Sequence, residues 1–70
     1  MEEILVFKTD ASEQTDLEAL RRLFSREQKV RSWNFDFDDC DNIFRLVSAG
    51  ITCEEVITML ASLDIRATEL

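Results

Sequence analysis

Between residues 17 and 24 the apolar side chains Leu17, Leu20, Leu23 and Phe24 recur every three or four positions, whereas Trp33, Phe35 and Phe37 recur every second one. The first spacing is the stripe of a helix and the second is one face of a strand, so both kinds of element must share an interior. An all-helical fold has no place for three rings that alternate with Ser32, Asn34 and Asp36. A chain of 70 residues has apolar surface for one core only, which makes residues 1–70 a single domain. It contains no proline, and its one glycine, Gly50, falls between two periodic segments, so no stretch reads as a linker.

The remaining elements follow from propensity and capping. Glu3 to Thr9 is a run of β-branched and aromatic residues (Ile4, Leu5, Val6, Phe7) closed by the polar stretch Asp10 to Gln14, and predicts a first strand. Thr15 and Glu18 have capping-box spacing, so a helix is expected to start there, with Asp16 adding favourable charge, and to finish near Arg26 or Gln28. Arg21, Arg22 and Arg26 lie largely off its apolar stripe. A second strand runs from Val30. The cluster Asp38, Asp39, Cys40, Asp41 and Asn42 is turn chemistry and predicts a hairpin into a third strand, Asn42 to Ser48. That strand is expected to send Phe44 and Leu46 inward and to leave Ile43, Arg45 and Val47 on the opposite face. Thr52 and Glu55 repeat the capping-box spacing before a second helix with the stripe Val56, Met59, Leu60 and Leu63, and Ile65 to Leu70 reads as a short edge strand. The order βαββαβ predicts an α+β, ferredoxin-like fold: a four-stranded antiparallel sheet with both helices on one face.

Composition narrows function by exclusion. Fifteen acidic and eight basic side chains give a net charge of −7, a field that repels phosphate backbones and anionic membrane surfaces. Neither nucleic acid nor membrane is therefore an expected partner. Met1 is followed by two glutamates where a signal peptide needs positive charge, so the cytoplasm is the expected location. Cys40 and Cys53 lack any CxxC pairing and read as free thiols. With no histidine, no tyrosine, no glycine-rich phosphate loop and no nucleophile beside a base, the chain is not expected to be an enzyme, and nothing in it calls for a cofactor.

The spacing of Val30, Trp33, Phe35 and Phe37, the positions of Leu20 and Phe24, and the segment Glu54 to Ile65 resemble a heavy-metal-associated domain, the βαββαβ module of copper chaperones and copper-transporting ATPases. The resemblance covers nearly the whole chain. It implies a CxxC in the loop running into the first helix, where two thiolates bind Cu(I). The matching residues here are Glu13, Gln14, Thr15 and Asp16, which supply only hard oxygen donors, so Cu(I) binding is not carried over.

Two candidate sites remain. If Leu5 and Phe7 point inward, Ile4, Val6, Ile43 and Val47 gather on the open sheet face, an apolar patch suited to self-association or to docking on a protein partner. Alternatively, Asp10, Glu13 and Asp16 approach Asp38, Asp39 and Asp41 at one end of the sheet and hold a divalent hard cation weakly. Cys53, in the first turn of the second helix, reads as an inert thiol, and Trp33 as a core residue. No motif assigns an activity. The reading that fits best is a small, non-catalytic interaction domain.

Overall fold

A computed structural model of the chain describes residues 1–37 and 42–70. The elements are β1 (Glu3–Thr9), α1 (Leu17–Ser25), β2 (Val30–Asp36), β3 (Ile43–Ser48), α2 (Cys53–Ala61) and β4 (Ala67–Glu69). The strands form one antiparallel sheet in the order β2-β3-β1-β4, the ferredoxin-like arrangement expected from the element order. The expected turn residues Asp38, Asp39, Cys40 and Asp41 lie outside the described residues.

The core lies between one sheet face and both helices. Leu5 and Phe7 from β1, and Phe44 and Leu46 from β3, meet Leu20 and Phe24 of α1 and Val56 and Leu60 of α2. All of the chain's aromatic rings, Trp33 and the five phenylalanines, stand in or against this core. Phe44 is their hub, with ring centroids 4.8 Å from Phe35, 5.7 Å from Phe24, 5.8 Å from Trp33 and 6.2 Å from Phe7. Trp33 is thus a packing residue, held between Phe24 and Phe35.

One departure from strict alternation shapes β2. Val30 pairs with Ser48 but Ser32 pairs with Val47, so Arg31 is an extra residue in a β-bulge. Without it, Val30 would point the same way as Ser32 and Asn34. With it, Val30 turns back to the helix side and packs against the core.

The two expected capping boxes have different outcomes. At α2 the box forms completely: the Glu55 amide donates to Thr52 Oγ1 at 3.2 Å and the Thr52 amide donates to Glu55 Oε1 at 3.2 Å. At α1 it does not form, and the cap moves one residue along. Asp16 is the N-cap, accepting from the Ala19 amide at 3.1 Å, while Thr15 Oγ1 accepts from the Ser12 amide and Glu18 pairs with Arg21. Aspartate is a better cap than threonine, and the Ser12–Thr15 turn already employs the Thr15 hydroxyl. The helix ends at Ser25, just short of the expected stop.

Two turns fix how α2 enters and leaves. Ser48 is buried, donates its hydroxyl to the Ile51 carbonyl at 2.8 Å and accepts from the Gly50 amide at 3.1 Å, with Gly50 at φ 126°. Only glycine adopts that conformation without strain. Beyond α2, the Ile65 amide donates to the Leu60 carbonyl and the Asp64 amide to that of Ala61, the bond pair of a Schellman motif. Asp64, at φ 64°, occupies the left-handed position usually given to glycine, and buried Ile65 beside Leu60 supplies the motif's apolar contact.

Candidate interaction face

Away from the helices the sheet is uncovered, and its side chains follow from the registers. One row across it holds Ser32, Val47 and Ile4; the next holds Asn34, Arg45 and Val6; the third holds Asp36, Ile43, Lys8 and Thr68. The Leu70 amide donates to the Val6 carbonyl at 3.0 Å, which extends the β1–β4 register and sets Leu70 beside Val6 on this face.

Of the four residues expected to form an apolar patch, three come together. Ile4 is 68% exposed and stands directly across from half-buried Val47, with half-buried Val6 two residues along β1. Ile43 is the correction. It lies on the same face but is only 4% exposed, with Lys8 and Asp36 as its register neighbours, and Arg45 separates it from Val47. Leu70, 68% exposed, takes its place in the patch. The signal for Leu70 was available in the sequence: a final strand with Ala67 and Glu69 turned to the helix side puts Thr68 and Leu70 on the other.

The charges on this face differ from those of the whole chain. Its strand positions carry Lys8, Arg45 and a single acidic residue, Asp36, whose carboxylate lies 3.6 Å from the Arg45 guanidinium. Arg31, at the bulge, pairs with Glu2 at 2.8 Å at the margin. The surplus of negative charge therefore lies off this face, and an acidic partner group meets less repulsion here than the net charge of the chain would impose.

The carboxylates proposed for a hard cation are placed as follows. Asp10 accepts from the Arg66 amide at 2.8 Å, clasping the segment that leads into β4, and Asp16 caps α1. Glu13 is exposed in the loop between β1 and α1, and Asp38, Asp39 and Asp41 lie outside the described residues. Among the described residues no group of three or more metal-ligating side chains converges. In the stretch Glu13 to Asp16, where the resemblance implies a CxxC, Thr15 and Asp16 are employed in backbone hydrogen bonds, and Glu13 and Asp16, at the two thiolate positions, offer hard oxygens that do not suit Cu(I).

Cys53 opens α2, where the helix dipole alone would acidify a thiol. Its surroundings do the opposite. Burial pushes the thiol up to about 11, helped by a hydrogen bond with the Glu69 carboxylate and by the charges of Glu69 and Glu3. At neutral pH the proton therefore stays on sulfur, which slows any reaction through the thiolate. The exposed Lys29–Glu55 ion pair, 3.0 Å long, holds the Glu55 carboxyl below its ordinary range and raises Lys29, bracing the cap of α2 against the residue before β2.

An open groove of about 580 Å³ lies between α1 and β2, lined by residues that include Leu17, Arg21, Phe24, Val30, Trp33 and Phe35. No helix of the described residues is long and apolar enough to cross a membrane. Comparison with protein-family models, with curated proteins and with solved structures returned no match.

Proposed function

We propose that this chain is a non-catalytic interaction domain, similar in build to heavy-metal-associated domains but working through protein contact at its open sheet face instead of through bound Cu(I). The observation that carries this reading is the continuous aliphatic group Ile4, Val6, Val47 and Leu70 on the uncovered side of an antiparallel sheet, where polar residues are the rule. Fully burying an exposed leucine or isoleucine contributes about 1.5–3 kcal/mol. Two of them fall short of the roughly 8 kcal/mol of a micromolar complex. The partner must therefore also engage the polar rows beside the patch, where the Arg45 guanidinium and the Asn34 side-chain amide can donate hydrogen bonds to carbonyl or carboxylate oxygens.

The test is retention of a partner from an extract of the native cells on the immobilised chain and on its Val6→Lys variant. Val6 belongs to the patch and faces away from the core cluster, so the variant should melt close to the wild type while losing the partner. Equal retention by both proteins would refute the reading.

A further inference from the structure

A second surface, separate from the patch, has the chemistry to recognise another copy of itself. Among the described residues β2 is an edge strand, and one side of it presents backbone amides and carbonyls with no strand of the sheet beside it. Natural edges are commonly guarded by lysine, proline, inward charge or a bulge. Here the guard is the bulge at Arg31, at one end only, and from Ser32 to Asp36 the strand is regular and contains neither lysine nor proline. On the helix side that stretch offers Trp33 and Phe35, both half-buried, along the groove beside α1. On the open side it offers Ser32, Asn34 and Asp36, the last compensated by Arg45.

From this edge we infer that the domain forms a two-fold dimer in which two β2 strands pair antiparallel, with the axis at Asn34. Asn34 is the midpoint of the regular stretch, so this register gives the longest unbroken ladder with both pairs of helices on the same side. Trp33 then stands opposite the partner's Phe35, and each groove receives the other copy's ring. On the open face Ser32 meets the partner's Asp36, and the two Asn34 side chains meet at the axis without like charges opposed. The strand is also polar along its length, with Arg31 at its start and Asp36 at its end, so antiparallel pairing brings each Arg31 toward the end that carries the partner's Asp36. A second copy is thus complementary to this edge in charge and register. The two four-stranded sheets become one continuous sheet, and the two apolar patches lie on the same face of it.

Sedimentation equilibrium of the full chain from micromolar to near-millimolar concentration tests the dimer. The wild type should dimerise, and acrylamide quenching of Trp33, the only tryptophan, should weaken as concentration rises. Asn34→Lys places two lysines face to face beside both Arg45 side chains and should raise the dissociation constant about fivefold or more, with an unchanged far-ultraviolet spectrum. An equimolar mixture of Asn34→Lys and Asn34→Asp should recover the dimer, and Val6→Lys should leave it intact. A chain that stays monomeric over the whole range, or a dimer indifferent to Asn34→Lys, would overturn the inference. Loss of association in Val6→Lys but not in Asn34→Lys would overturn it too, assigning self-association to the open face. Because edge and patch are probed by different variants, failure of one leaves the other standing.

Discussion

Toward the helices the sheet carries five of the chain's six aromatic rings at or beside strand positions, with Phe24 of α1 closing the cluster; away from the helices it carries none, and offers four aliphatic side chains set among serine, asparagine, lysine and arginine. The two faces are built from the same strands, and alternation alone separates them. The difference teaches where stability resides in a domain this small: one face commits its apolar side chains to the core, and the other leaves Ile4 and Leu70 exposed.

The largest expected effect breaks the covered face. Phe44→Ala removes the ring that touches four others and should cost about 3–5 kcal/mol, enough to unfold most of a domain of this size at room temperature, as read by circular dichroism. The helices that cover this face give intermediate effects of opposite sign. Thr52→Ala removes the α2 cap and should cost about 1 kcal/mol, a fall in Tm of about 4–8 °C. Asp64→Gly relieves the left-handed residue of the Schellman motif and should stabilise by up to about 1 kcal/mol in the same melting assay.

A smaller effect depends on pH. The Glu55 carboxyl is lowered in the folded state, so its contribution is present above the ordinary 4.5 and disappears as pH falls through the lower folded value. Lys29 is raised, so its share is present below 10.5 and disappears as pH rises through the higher folded value. Lys29→Met should flatten both limbs of the stability profile, leaving the difference from wild type largest between them. At Cys53 a thiol reagent should react slowly at pH 7 in a Cys40→Ser background and faster in the further variant Glu69→Gln, since that change removes the carboxylate which opposes thiolate formation.

Much of this architecture is legible in the residues because period and capping are local signals. β1 runs over Glu3–Thr9 as its β-branched run suggests, and the alternation at Trp33, Phe35 and Phe37 reports the covered face directly. What escaped the sequence arises from competition between neighbours. Thr15–Glu18 and Thr52–Glu55 have the same spacing, yet only the second forms a box, because Asp16 is a stronger cap adjacent to Thr15 while no such rival adjoins Thr52. The bulge at Arg31 reverses the direction of Val30, which an unbroken period of two cannot anticipate. On the open sheet face, Ile4, Val6 and Val47 follow from alternation, and so does Leu70 once the last strand is continued to its end, but the closure of Ile43 depends on its cross-strand neighbours, which no single segment encodes.

Chemical-shift mapping of the isotopically labelled chain, titrated with the protein it retains, bears most directly on function. Surface contact at the uncovered side of the sheet predicts that the amides of Ile4, Val6, Val47 and Leu70 move while those of Leu20 and Leu60 stay still. Movement confined to α1 and α2, with β1 and β3 unchanged, would contradict it.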